Sequence, residues 1–174
     1  MPILAALIDA GDLGYIGAGG NLFFSGRLSD VIKTGGENVN AFEVEDLLRV
    51  FEAPQGSSLA GLRLCAAAVV GLPDLRLGEQ VCAVVTVSPE DFRRVAERQG
   101  VSGDPEFLHD SELHRLLRNH LRSGGLAGFK HPKTLYICLK LPRNSSGKVV
   151  KQRLKKRVES FRKIAGRRRM RSKL

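Results

Sequence analysis

Cysteine is scarce in this sequence, and the three present, Cys65, Cys82 and Cys138, are odd in number and widely spaced. A disulfide framework or a zinc site needs clustered, geometrically paired ligands, so neither is expected. Two of the three lie in the apolar runs CAAAVVGL and VCAVVTV, which suits buried thiols in a reducing compartment. Long apolar runs are also missing, since none approaches the roughly 18 residues of a membrane helix. The opening MPILAALIDAG is apolar but short, has no basic start and runs into a turn, so it is not read as a secretory signal. The histidines, His109, His114, His120 and His131, lack metal-ligand or catalytic spacing. No metal ligand is therefore expected, and His114 and His120 are expected on the polar face of a helix. Nor is there a Walker loop, since Ser145-Ser146-Gly147-Lys148 falls short of GxxxxGK[ST].

What is present is enough for one hydrophobic core and one appended element. The chain has 174 residues, of which 43% are hydrophobic and 26% charged, ordinary for a globular protein. Its net charge of +10 is unevenly spread. Residues 151–173 hold twelve of the 28 Lys/Arg and one of the 18 Asp/Glu, which leaves the rest at −1. The basicity belongs to the tail.

Residues 13–25, LGYIGAGGNLFFS, read as a β-hairpin around a Gly-rich turn. VIKT is a short β-branched run closed by Gly35-Gly36. Asn40 and Glu43 have capping-box spacing before a stripe of Val44, Leu47, Leu48 and Phe51. Residues 65–72, 79–88 and 134–139 are strand candidates. Pro89 opens a helix to about Arg98, and residues 99–110 form a loop or insertion. Ser111 is expected to cap a helix with the stripe Leu113, Leu116, Leu117 and Leu121. Val150, Leu154, Val158 and Phe161 mark a terminal amphipathic helix. The pattern predicts an α+β domain with a small sheet of about three strands flanked by helices, preceded by a separable hairpin at 1–26.

The segment GRLSDVIKTGGENVNAFEVE, residues 26–45, resembles the motif of adenylate-forming enzymes, the acyl-CoA synthetase superfamily. Gly11-Asp12 before the hairpin and Pro142-Arg143-Asn144-Ser145-Ser146-Gly147-Lys148 before the last helix match in order and spacing. Within that superfamily, IKTGGENV, LAGFKHPK and the insertion most resemble plant-type 2-succinylbenzoate–CoA ligases of phylloquinone synthesis. The resemblance covers about residues 9–160. It departs at Ala10, where threonine is usual, and at Asn40-Ala41-Phe42, where a proline is common.

The resemblance implies an acid–CoA ligase. ATP and a carboxylic acid would give acyl-AMP and pyrophosphate, and CoA would then displace AMP. It assigns nucleotide contacts to Asp12, Arg27 and Lys33, a hinge to Asp30, and CoA-facing positions to Thr34, Gly35, Gly36 and Glu37. Lys148 would be the catalytic cation, offsetting charge that develops as the acyl-adenylate forms. A carboxylate suits ribose hydroxyls, and a guanidinium fork suits ribose and phosphate oxygens. Taken alone, Asp12 also reads as a turn aspartate, Asp30 as an exposed loop acid, Gly35-Gly36 as a tight turn and Lys148 as solvated surface. Lys130 or Lys133 could meet CoA phosphates. Residues 1–26 would end the large adenylation domain, 27–30 the hinge, 31–160 the C-terminal domain, and 161–174 a basic tail. The phosphate loop, the acyl pocket and any Mg2+ ligands of such enzymes lie in a large upstream domain outside this chain, so catalysis by this chain alone is not expected.

Ser172-Lys173-Leu174 matches a peroxisomal address, with the import receptor as partner; a chloroplast location is open for a full-length relative. Two other readings stay open: a non-catalytic module binding nucleotide, CoA or a protein partner, and a nucleic-acid binder. RRRMR favours the last, but it lacks interleaved aromatics and any RNA-binding motif.

Overall fold

A computed structural model of the chain describes the backbone of residues 3–8 and 11–171 and the side chains of 11–165. The expected hairpin is present as β2 (Asp12–Ile16) and β3 (Leu22–Arg27), and β1 (Ile3–Ile8) adds a third antiparallel strand in the order β1-β2-β3. The short run at the start has no alternation, so its periodicity could not distinguish a strand from other apolar segments. In the β2–β3 register Asp12 stands opposite Arg27.

After a 3-10 turn (Leu28–Asp30), β4 (Val31–Thr34) and β5 (Glu37–Asn40) form a second hairpin. It joins β6 (Ala66–Asp74), β7 (Gly78–Thr86) and β8 (Thr134–Cys138) in one sheet. β7 is central. It runs antiparallel to β6 along nine residue pairs, meets β4 at Thr34 and Gly78, and takes β8 as a parallel neighbour from Cys82 onward. The α+β class holds. The sheet has five strands where about three were expected: the short VIKT run is itself a strand, and the polar ENVN stretch, which gives no strand signal, pairs with it through its backbone.

The strands alternate between two cores. Val69, Val81, Ala83, Val85, Leu135 and Ile137 face α1 (Ala41–Arg49), α2 (Pro89–Arg98) and α3 (Ser111–Ser123). Ala68, Val70, Leu72, Cys82, Val84 and Tyr136 face α4 (Lys151–Arg171), which contributes Leu154 and Val158. Coverage on both faces explains why these strands read as continuous apolar runs rather than alternating ones.

Helix starts follow the capping rules with two shifts. Asn40 caps α1 by accepting from Phe42 N, while Glu43, instead of completing a capping box, takes Lys130. Asp110, not Ser111, caps α3 by accepting from Leu113 N at 2.7 Å. Ser88 caps α2 as a serine before proline would. Among the described residues, no helix is long and apolar enough to cross a membrane.

Candidate functional site

The hairpin strands and the 3-10 turn bring the first two expected contacts together. Arg27 Nε donates to Asp12 Oδ1 at 3.2 Å across β2 and β3. Their side chains remain 52% and 30% exposed, respectively, so the pair is worth about 0.2–1 kcal/mol in water. Its consequence is positional: a carboxylate and a guanidinium are held side by side. Gly11, Arg27, Leu28 and Ser29 line an open hollow of about 460 Å³ next to them.

Asp30, the expected hinge acid, ends the 3-10 turn and pairs with Lys151 at 3.1 Å. A cleft of about 210 Å³ opens here between the turn, β4, β6 and the start of α4, with Asp30, Glu79, Lys151 and Lys155 on its walls. Two ties cross it. Lys151 also meets Glu45 at 2.8 Å, and Lys155 meets Glu79 at 2.8 Å. Burial raises the Glu79 pKa, but the Lys155 ammonium and the Lys33 amide outweigh it and hold the carboxyl below the usual range.

Gly35 and Gly36 are the two-residue turn between β4 and β5, with φ of +58° and +86°. Hairpin turns of this kind need left-handed dihedrals at both positions, which glycine adopts without strain. Gly35 N donates to Leu77 O at 2.9 Å, which seats the turn beside the β6–β7 connection. Lys33 and Glu37 flank the turn with exposed side chains, whereas Thr34 is buried at 5% exposure.

Lys148 is exposed at the far end of a braced loop. Asn144 accepts from Lys148 N at 2.8 Å and donates its own amide to Lys148 O at 2.9 Å. Val150 N donates to Pro142 O at 2.8 Å, closing the loop against the start of α4. Among the described residues, no ion pair occupies the Lys148 ammonium, and no hydrogen bond joins it to Asp12 or Arg27. The structure thus unites Asp12 with Arg27 and leaves Lys148 separately mounted.

Several residues differ from their sequence expectation. Lys130 is held by both oxygens of Glu43 at 2.7 and 2.8 Å, leaving Lys133 as the exposed lysine of GFKHPK. His114 and His120 are half-buried rather than fully on a polar face. Their Nε2 atoms meet the carbonyls of Pro132 at 2.8 Å and Leu47 at 2.9 Å. Burial lowers the His114 pKa, against the Pro132 carbonyl. Cys82 and Cys138 are buried but Cys65 is exposed. Among the described residues, no group of His, Cys, Asp and Glu side chains could hold a metal ion. Ser172, Lys173 and Leu174 lie outside the described residues. The Lys151–Asp30–Glu45 and Lys155–Glu79 ties were missed by sequence reasoning; the available signal was the i, i+4 pair of lysines opening the last helix.

No protein-family model matches the chain. The chain is 35% identical over 145 residues to 4-chlorobenzoate–CoA ligase of an Arthrobacter species, a match covering 83% of this chain and 22% of the relative. It is 36% identical over 157 residues to the chloroplastic/peroxisomal 2-succinylbenzoate–CoA ligase of Arabidopsis thaliana, covering 89% of this chain and 25% of the relative. Among solved structures it resembles o-succinylbenzoate CoA synthetase of Bacillus subtilis in complex with its acyl-adenylate intermediate. That likeness has a TM-score of 0.57 at 28% identity and covers 83% of this chain and 23% of the other. The chain thus spans about a quarter of the length of the curated relatives it matches, at their C-terminal end.

Proposed function

The chain belongs to the adenylate-forming acid–CoA ligases, as their C-terminal part, and from that premise we propose that it supplies the mobile portion of such a ligase active site. The observation that carries this reading is the Asp12–Arg27 pair beside the Leu28–Asp30 turn. Two groups suited to ribose and phosphate oxygens stand at the junction between a hairpin and a separately packed body. In the first half-reaction, Asp12 accepts from the ribose hydroxyls, Arg27 donates to ribose and phosphate, and Lys148 approaches the carboxylate and the α-phosphate. Rotation about the turn then withdraws Lys148 and brings the Gly35-Gly36 turn, flanked by Lys33 and Glu37, toward the pantetheine arm of CoA. Mg2+ would arrive with ATP, and the residues described here form no site for it.

The hairpin supports an upstream domain as partner. Tyr15, Ile16, Leu22, Phe23, Phe24 and Leu28 are all more than a third exposed, apolar surface spread over both faces of the hairpin of the kind that marks an interaction surface. We assign residues 1–26 to the end of the large adenylation domain, 27–30 to the hinge and 31–160 to the mobile domain.

The acid we name is 2-succinylbenzoate, on the strength of the Arabidopsis and Bacillus matches; this would place the chain in phylloquinone synthesis. The same plant relative and the Ser172-Lys173-Leu174 string support a peroxisomal destination. A reporter fused upstream of the tail should be peroxisomal and become diffuse when Leu174 is removed.

The ligase reading is tested by ATP–pyrophosphate exchange and thioester formation, first with the chain alone and then with an adenylation domain of a relative added. Activity is expected only in the mixture, with Lys148→Ala reducing acyl-adenylate formation about 100-fold or more. Unchanged exchange in the Lys148→Ala mixture would remove Lys148 from the mechanism. A second reading, a stand-alone binding module, is favoured by both cores lying wholly within residues 32–158. Calorimetric titration of the chain alone with AMP and with CoA tests it, and tight binding without complementation would select it.

A further inference from the structure

We propose that Lys151 is a positioning residue that clamps the Asp30 side chain to the body of the chain, making Lys148 move as one piece with the hinge acid. The inference rests on the reading of Leu28–Asp30 as the hinge. Its basis is a three-group cluster at the mouth of the 210 Å³ cleft. The Lys151 ammonium lies 3.1 Å from Asp30 Oδ2 and 2.8 Å from Glu45 Oε1. All three side chains are less than a third exposed, at 19%, 27% and 14% for Lys151, Asp30 and Glu45. Solvent and salt therefore screen this contact less than they do the Asp12–Arg27 pair.

Glu45 is the fixed post of the cluster. It projects from α1, and the same oxygen accepts from Val69 N of β6 at 2.6 Å. One helical turn beyond Lys151, Lys155 repeats the arrangement with Glu79, whose other oxygen accepts from Lys33 N of β4 at 3.1 Å. The first turns of α4 are thus fastened to α1, β4, β6 and β7, and Asp30 is fastened to α4. Without Lys151, two carboxylates drawn to one point would repel each other, and Asp30, the one on a turn, would give way.

On the other side of the turn, Leu28 N donates to Gly11 O at 2.8 Å, so Leu28 belongs to the hairpin. Between the two anchors stands Ser29, exposed, its hydroxyl reaching only Asp30 Oδ1 at 3.5 Å. Rotation of the body therefore falls on the backbone bonds of Ser29 and Asp30, between Leu28 on the hairpin and Val31 in β4, and the Val31 N to Leu28 O hydrogen bond that spans them must open. The Lys148 loop is closed onto the start of α4 three residues before Lys151. The clamp thereby sets the radius and direction of the arc that Lys148 travels.

Amide hydrogen exchange on the whole 174-residue chain tests this without requiring ligase activity, so failure of complementation and failure of the clamp are separate results. Lys151→Met should raise exchange at Asp30 and Val31 roughly tenfold while Val84 and Val85 of the central strand stay unchanged. Lys151→Arg, which keeps the cation, should return both hinge amides to within about twofold of the natural chain. Unchanged exchange at Val31 in folded Lys151→Met overturns the proposal, as does an equal rise at Val84 and Val85. Should Lys151→Met not fold, Asp30→Asn replaces it, since it leaves the Lys151–Glu45 pair in place. The same local rise is then expected, and its absence overturns the clamp equally.

Discussion

Gly36 and Gly26 show how differently a single glycine can matter. At Gly36, φ is +86° and an added Cβ would meet nothing within 4 Å. Alanine there would suffer only from its left-handed backbone, about 1–2 kcal/mol. Denaturant unfolding of Gly36→Ala should show a loss of that size with an unchanged m-value; a loss above about 3 kcal/mol would point to crowding that the structure does not contain. At Gly26 φ is +133° and an added Cβ would also stand 2.8 Å from Asn40 Oδ1, so the backbone conformation and the close approach of β3 to the start of α1 both require glycine. The cysteines divide just as sharply. Burial pushes the Cys82 thiol up to about 12 and the Cys138 thiol up to about 11, while Cys65 is exposed. The thiolate is the reactive form. A thiol titration of the native chain should therefore find one fast cysteine out of three, and Cys65→Ser should abolish the fast phase. Cys65 opens an apolar run, which is why sequence alone placed it inside; its backbone N donates to Thr86 O at 2.8 Å, at the end of the β6–β7 ladder, and its side chain is exposed there.

At the scale of elements, α4 was legible because its purpose is simple. Leu154 and Val158 recur one turn apart and both end at 0% exposure against the sheet, while lysines and arginines occupy the remaining faces. Leu154→Ala deletes a buried side chain from the smaller of the two cores and should cost about 2–5 kcal/mol, read as a lower unfolding midpoint. A cost below about 1 kcal/mol would mean that α4 contributes little to the packing of that face. β5 was illegible for the opposite reason: ENVN carries one apolar residue, Val39, and its pairing with VIKT is set by the Gly35-Gly36 turn rather than by side-chain period. The ties of α4 were hidden for a third reason. Lys155 and Glu79 are 76 residues apart, and no local pattern in a helix of abundant lysines says which ones will find a distant carboxylate. The same holds within the candidate site. Asp12 and Arg27 could be named from a motif, but their meeting depends on the β2–β3 register, and the roles of Lys151 and Glu45 depend on the packing of α4 over α1 and β6.

For the molecule as a whole, apolar burial is unequal between its two sheets. Both hydrophobic cores are assembled from residues 32–158, whereas the hairpin leaves Tyr15 stacked on Phe23 at 5.2 Å with both rings more than a third exposed. Contact between hairpin and body is narrow. Asn40 Nδ2 donates to Ser25 O at 2.5 Å, Phe24 meets Phe42 edge-on at 5.5 Å, and Gly26 lets the backbones close. A body that holds its own cores should survive removal of the hairpin, because the buried side chains that dominate its stability stay in place. A chain beginning at Arg27 is therefore expected to unfold cooperatively within a few degrees of the 174-residue chain. It should also lose the binding of hydrophobic dyes and any concentration-dependent association that the exposed aromatic face confers. Scanning calorimetry and sedimentation on the two chains decide the point. A truncated chain that melts without cooperativity would show that the hairpin is part of the folding unit, and the hinge would then have to lie elsewhere. If the truncated chain folds and still self-associates, the aromatic face of the hairpin is not the contact surface, and its assignment to an upstream domain loses its support.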